Sequence, residues 1–208
     1  MARERIGRRL ASGAEGCGFD PASRTSLRPA SPVMNEMRII SETERLTIRS
    51  LAEADIPQIT SLWADEQVTR FMGGPRVYQE VSASLKRDLE APLLRFDLWA
   101  VVEKGSGAIV GHCGLLPKTV DGRDEVELVY VIAPAFWRRG YASEAAAAIR
   151  DYAFQTLGVP RLVSLINPAN TASERVALKL GMKFESETVR SSGKKMKVYA
   201  LAAGQVPN

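Results

Sequence analysis

The segment Trp137-Arg138-Arg139-Gly140-Tyr141-Ala142 constrains this chain more than any other. It follows a hydrophobic stretch, Val126 to Ile132, and leads into an Ala-rich one, Ser143 to Thr156. Strand, short basic turn with a glycine, then helix commits this region to an α/β arrangement. It also turns a row of backbone N–H groups toward one point, the start of the helix. A helix dipole contributes about 0.3–1 kcal/mol toward a nearby anion, up to ~2 when partly buried. A glycine and small Ala142 leave those N–H groups unshielded, so a phosphate or pyrophosphate is the ligand such a turn suits. The plainer alternative is a strand-to-helix turn with two solvated arginines.

The rest of the pattern extends the α/β reading. Arg45 to Arg49 alternates as a strand, and Ala52-Glu53-Ala54-Asp55 opens a helix reaching about Ala64. A second helix runs from Tyr78 to about Glu90, after the break at Gly73-Gly74-Pro75. Leu98 to Glu103 and Ala108 to Leu115 form a hairpin over Lys104-Gly105-Ser106-Gly107, and Asp121-Gly122 turns the chain into the strand at 125–132. The following helix places Ala142, Ala145, Ala146, Ile149 and Ala153 on one face, small enough to lie close to a sheet. Arg161 to Asn167 is the next strand. Thr171-x-x-Glu174 reads as a capping box for a helix ending at Gly181, in a left-handed conformation. Glu185 to Val189 and Lys195 to Leu201, split by Ser192-Gly193, close the chain as a hairpin. The expected order is βααβββαβαββ, a mixed central β-sheet flanked by helices.

Residues 1–36 are rich in Arg, Ala, Ser, Gly and Pro and show neither helical nor strand periodicity, so they are expected to form a disordered basic extension. A mis-called start at Met34 or Met37, a plain extension and a transit peptide all remain open for them. A single folded domain is expected over 37–208. The net charge of +4 and pI of about 9.2 would suggest nucleic acid. Six Arg against Glu4, Glu15 and Asp20 give residues 1–33 a charge of +3, which leaves about +1 for everything else. The basicity therefore belongs to a tail, and nucleic acid is not expected as a partner. No apolar run approaches the ~20 residues of a membrane span. Cys17 and Cys113 have no metal or redox spacing, and a single histidine argues against His-based metal or triad chemistry. A reduced, cytoplasmic protein without a metal, monomeric or homodimeric, is expected.

The stretch Val131-Ile132-Ala133-Pro134-x-x-Trp137-Arg138-Arg139-Gly140-Tyr141-Ala142-Ser143 resembles the acetyl-CoA signature of GCN5-related (GNAT) N-acetyltransferases, Gln/Arg-x-x-Gly-x-Gly/Ala after a strand and a proline. Asn167-Pro168-Ala169-Asn170-x-x-Ser173, followed by Lys179-Leu180-Gly181, is a second match. Trp137 in place of Gln or Arg, Glu42 to Arg49 and Gly111 to Leu115 are similar to the branch of ribosomal-protein N-terminal (Rim-type) acetyltransferases. The resemblance spans roughly residues 40 to 202. It implies that the backbones of Tyr130 and Ile132 pair with the pantetheine arm of acetyl-CoA. It further implies that Trp137, Arg138, Arg139, Gly140, Tyr141, Ala142 and Ser143 form the pyrophosphate loop, and that Asn170 reaches the pantetheine. Two central strands diverge in this family, and an amine attacks the thioester in the resulting V.

Such a reaction needs a neutral amine. At pH 7 deprotonation costs roughly 4–5 kcal/mol for a lysine and about 1 for an N-terminal α-amine. The resemblance makes Glu127 the base, with Glu125 on the same strand face as its substitute and a salt-bridged strand carboxylate as the plain alternative. Many relatives protonate the leaving thiolate with a Tyr where this chain has Ala177, so Ser173 is the candidate donor, against a simple capping role. Tyr141 is expected to pack or touch the cofactor, His112 and Cys113 to sit in or near the core, and Trp63 and Arg70 to Gly74 to wall the acceptor site. The implied function is acetyl transfer to a primary amine, either a protein N-terminus or a small molecule such as a polyamine or aminoglycoside. The alternative is a non-catalytic acyl-CoA-binding module.

Overall fold

A computed structural model describes residues 37–90, 94–190 and 193–206. The sequence expectation for 1–36, and Ser192 of the closing hairpin, lie outside them. Eight strands form one sheet: β1 (Ile39–Glu42), β2 (Leu46–Arg49), β3 (Leu98–Glu103), β4 (Ile109–Val120), β5 (Arg123–Ile132), β6 (Arg161–Ile166), β7 (Lys183–Val189) and β8 (Lys195–Ala202). Their spatial order is β1-β2-β3-β4-β5-β6-β8-β7. Every neighbouring pair is antiparallel except β5 and β6, which run parallel. The helices are α1 (Ile56–Ala64), α2 (Glu66–Thr69), α3 (Tyr78–Leu89), α4 (Tyr141–Asp151) and α5 (Thr171–Lys179).

This is the expected mixed sheet with one strand and one short helix more than the sequence pattern suggested. The extra strand arises at Thr43, whose N–H donates to the Leu46 carbonyl at 2.9 Å while its hydroxyl accepts from the Leu46 N–H at 2.9 Å. That turn folds Ile39–Glu42 back on Leu46–Arg49 as a separate strand. The extra helix α2 is started by Asp65, whose carboxylate accepts from the Val68 N–H at 3.0 Å.

Strand alternation distributes the apolar residues to two cores. On one face Trp99, Ile132 and neighbours meet α4. On the other Leu98 and Val131 meet Ile56, Ile59 and Trp63 of α1 and Val81 and Leu85 of α3. Helix α4 lies flat because Ala145, Ala146 and Ile149 have no exposed surface, as does Ala153 just beyond it. Its last turn loosens into π geometry over Tyr152–Thr156. The entry to α1 is held by Asp55, which takes two bonds from Arg49 (2.5 and 2.9 Å) and one from the Ala52 N–H (2.8 Å).

The capping box expected at Thr171 is displaced by one residue. Asn170 is the N-cap of α5, accepting from the Ser173 N–H at 3.1 Å. Glu174 does not return to the helix start; it binds the Lys197 ammonium at 3.1 Å and the Tyr199 hydroxyl. Lys197 and Tyr199 reach it from β8, so tertiary partners outcompete the local one. Gly181 ends the helix region at φ +84°, as expected.

Helix α4 has no room to grow toward the sheet. Ala146→Leu should cost about 1–3 kcal/mol by overpacking, read as a lower urea midpoint with an unchanged denaturant slope.

Candidate active site

The site begins where hydrogen bonding between β5 and β6 stops. The two strands share one registered pair, Glu127 and Val163. Just beyond it the Ser164 hydroxyl donates to the Leu128 carbonyl at 3.0 Å, closing the apex with a side chain instead of a ladder bond. The Ala133 N–H turns to Val110 on β4 at 2.9 Å. By the alternation of an antiparallel ladder, Val129 and Val131 also spend their main-chain groups on β4, whereas Tyr130 and Ile132 direct theirs into the gap. The main-chain groups of Tyr130 and Ile132 thus face the gap, with one of them already engaged. The Ile132 carbonyl is taken by the Trp137 indole N–H at 2.6 Å. Trp137, 44% exposed, thus pins the loop to the strand end it follows.

From Ile132 the chain makes one turn at Pro134–Phe136 and reaches α4 through two left-handed residues, Arg138 (φ +63°) and Gly140 (φ +84°). Gly140 is the N-cap, and no side chain caps the helix. The first bond inside it runs from the Glu144 N–H to the Gly140 carbonyl at 3.0 Å. The N–H groups of Tyr141, Ala142 and Ser143 precede that bond and have no partner within the helix. Unsatisfied N–H groups with a helix dipole behind them are chemistry that suits an anion, and Arg138 and Arg139 adjoin them in the chain.

Residues far away in sequence hold this loop. Arg45, in the turn just before β2, donates to the Arg139 carbonyl at 3.0 Å and to the Glu144 carboxylate at 2.8 Å, and its guanidinium lies 4.7 Å over the Tyr141 ring. Thr43 adds a 2.5 Å bond to Glu144. Burial alone would raise the pKa of Glu144, but the bonds from Thr43 and Arg45 bring it below the ordinary carboxylate value. Tyr141 is 6% exposed and bonds Glu103 through its hydroxyl, so its side chain is a packing peg. Sequence reading gave Arg45 and Thr43 no role; the signal was their place in the stretch Glu42 to Arg49.

Glu127 lies at the apex of the gap, 7% exposed, lining a cleft that encloses about 160 Å³. Burial pushes its pKa up, opposed by Lys118, by Arg190 (3.6 Å away) and by the Leu165 backbone amide. Glu125 is not part of this cleft. Arg161 holds it at 3.2 Å while reaching Glu185 with its other nitrogens at 2.7 and 2.9 Å. The second carboxylate of the strand face is thus engaged at the sheet's far side.

Across the gap, Asn170 and Ser173 face Tyr130. The Asn170 amide donates to the Ser173 hydroxyl at 3.0 Å, and the Tyr130 hydroxyl donates to the Ser173 carbonyl at 2.9 Å. The Asn170 side chain is therefore committed to the helix start. Burial pushes the Tyr130 phenol well above its ordinary value. Ala177 is fully buried in the core. Trp63, Phe71 and Met72 wall the cleft, whereas Arg70 lies over the Phe71 ring at 4.3 Å and does not line it. His112 sits behind Trp63, whose indole N–H donates to its Nδ1 at 3.2 Å. Burial lowers its pKa to about 4, and burial also drives the Cys113 thiol up, so neither is poised for proton transfer or nucleophilic attack. Among the described residues no group of three His, Cys, Asp or Glu could hold a metal, and no helix is long and apolar enough to cross a membrane. Arg76, Lys118 and Arg190 also line the cleft and had no place in the sequence expectation. For Lys118 the signal was available: a two-residue turn at Asp121-Gly122 fixes the register that sets it opposite Glu125.

Comparison with known proteins agrees with this geometry. Residues 45–183 match the model of the acetyltransferase (GNAT) domain. The chain belongs to the GNAT acetyltransferase family. It is similar to the acetyltransferase from Agrobacterium tumefaciens str. C58 (30% identity, TM-score 0.65, covering 86% of this chain and 99% of that one). It is 39% identical over 102 residues to the uncharacterized protein YkkB of Bacillus subtilis (strain 168), 49% of this chain and 59% of that protein. The chain thus spans less than two thirds of YkkB. The fold is also that of the spermidine N-acetyltransferase from Vibrio cholerae solved with CoA and spermine (16% identity, TM-score 0.66, covering 78% and 98%).

His112 carries a stability consequence. Its folded pKa is depressed, so the unfolded chain binds a proton that the folded one refuses between about pH 6.5 and 4. Stability from this group is full above 6.5 and is lost as pH falls. Glu127, with a raised pKa, runs in the opposite sense. Because this is the only histidine in the chain, His112→Gln should remove a decline of about 1–2 kcal/mol between pH 6.5 and 5, seen by comparing the two proteins' denaturation curves across that range.

Proposed function

We propose that this chain transfers the acetyl group of acetyl-CoA to a primary amine, with Glu127 as the base. The observation that carries the reading is the single-pair junction of β5 and β6. It opens a strand edge that leads straight into an uncapped helix start, with a buried carboxylate at its apex. A pantetheine arm suits the main-chain groups of Tyr130 and the N–H of Ile132. A pyrophosphate suits the amides of Tyr141, Ala142 and Ser143 with the Arg138 and Arg139 charges and the tight turn at Gly140. Trp137 supports this loop from below, and Asn170 sets the opposite wall. Acetyl-CoA supplies an acyl group activated as a thioester.

The chain's own work is proton handling and placement. Glu127 accepts a proton from the acceptor nitrogen, directly or through one water, so that the neutral amine attacks and the N–C bond forms as the C–S bond breaks. Burial makes its carboxylate a stronger base, and Lys118 and Arg190 oppose that rise. The Ser173 oxygen accepts from Asn170, which leaves its own hydrogen available to the departing thiolate. With Ala177 packed in the core, no phenol competes for that role at that position. Proximity in the cleft carries much of the rate, so neither side chain need be indispensable.

Thiol release from acetyl-CoA across a panel of amines and peptides tests the activity. Acceptor-dependent release is expected, and tight binding of acetyl-CoA without release with any acceptor would instead identify the non-catalytic module that the absent phenol favours. Glu127→Gln should lower kcat roughly ten- to a hundredfold, most at low pH, with the acetyl-CoA KM within about twofold; an unchanged pH–rate profile would remove Glu127 as base. Gly140→Val should raise the acetyl-CoA KM about tenfold or more, since a β-branched residue is strained at φ +84°.

A further inference from the structure

The acceptor end of the cleft holds more positive charge than its carboxylate balances. Arg76, between α2 and α3, Lys118 on β4 and Arg190 just past β7 all line it, and Glu127 is the one carboxylate among the described lining residues. Arg190 stands 3.6 Å from Glu127. Neither Arg76 nor Lys118 has a carboxylate within ion-pair distance among the described residues. The Nε–H groups of Arg76 and Arg190 are both buried and have no hydrogen-bond partner among them. Arg76 is not a loose surface side chain: its N–H donates to the Trp63 carbonyl at 3.0 Å and its Nη2 to the Met72 carbonyl at 2.9 Å. Two guanidinium groups with unspent donors and a free ammonium, converging on one small cleft, call for an anion.

Acetyl-CoA does not answer that call. Its pyrophosphate site follows Ile132, five residues beyond Glu127 along β5, roughly 17 Å of extended strand. Lys118 lies opposite Glu125, on the other side of Glu127 from that loop. The two cationic groups therefore sit toward opposite ends of the same strand. A polyamine would bring further positive charge against Arg76, Lys118 and Arg190. An amine that carries its own anion would be attracted by them, and their field would also disfavour the ammonium form of its nitrogen. The cleft's volume of about 160 Å³ is below the roughly 300–1,000 Å³ of sites for drug-sized ligands, which suits a compact molecule.

We propose that the acceptor is a small amine bearing a carboxylate or phosphate a few bonds from its nitrogen, the anion held by Arg76, Lys118 and Arg190 while the nitrogen faces Glu127. This rests on the acetyltransferase reading above. Thiol release is measured with matched acceptors: O-phosphoethanolamine against ethanolamine, phenylalanine against phenylalaninamide and phenethylamine, then spermidine and a peptide with acidic residues after its N-terminus. The anionic member of at least one pair should show kcat/KM ten times that of its neutral partner or more, and which pair does so separates phosphate from carboxylate. Lys118→Met and, separately, Arg76→Met should erode that advantage tenfold or more, with the acetyl-CoA KM reporting an intact fold. Lys118→Glu should shift preference toward spermidine. Equal or better turnover of the neutral amines or spermidine by the wild type would overturn this proposal while leaving acetyl transfer standing. Preference for the acidic peptide over every small acid would overturn it in favour of a protein N-terminus. No release with any amine would remove the acetyl-transfer reading itself, and this one with it.

Discussion

Everything distinctive in this fold follows from a sheet that stops pairing in its middle. One parallel pair, Glu127 with Val163, joins two antiparallel halves, and past it the main-chain groups of β5 that face β6 have no strand to meet. Unpaired buried backbone is costly, so the gap persists only because other groups are spent on it. Ser164 closes the apex, Trp137 takes the Ile132 carbonyl, and Tyr130 reaches across to the start of α5. The flanking helices and the two apolar clusters keep the halves from sliding together. What is left open is an edge of the right chemistry for an amide-bearing arm.

The same junction explains where the ionisable groups matter. Glu127 is at the last paired position, so it is buried by the sheet and yet borders the opening. Two residues earlier, Glu125 is absorbed into an ion pair with Arg161 at the start of β6. Identical side chains on one strand face thus differ in availability because Arg161 claims one of them and borders no part of the cleft. The cations divide in a similar way, one group beyond the strand's last residue and another along its first half.

The strand, turn and helix around residue 140 were legible in the sequence. Residues 137 to 143 announced themselves because a glycine turn between a strand and an Ala-rich helix is a local pattern, and local patterns are what a sequence displays. Most element boundaries were legible for the same reason, including the two-residue turn at Asp121-Gly122. The failures are tertiary. Glu174 was assigned to a local cap, but Lys197 and Tyr199 claim it from a strand more than twenty residues on. Thr43 and Arg45 support the loop from about a hundred residues away, so their stretch stood out in the sequence but the contact they make did not. Arg76 and Arg190 meet at the cleft only because a loop and a distant hairpin converge there. Ser173 was visible, but its entanglement with Asn170 and Tyr130 depends on the fold.

The tether from Arg45 and Thr43 to Glu144 and Arg139 has a structural corollary. The anion loop looks like a self-contained insert of strand, turn and helix, portable to another scaffold. It is not, because its shape is dictated by a strand three places away in the sheet. Moving the loop to another scaffold would therefore require carrying the β1–β2 turn of this sheet with it.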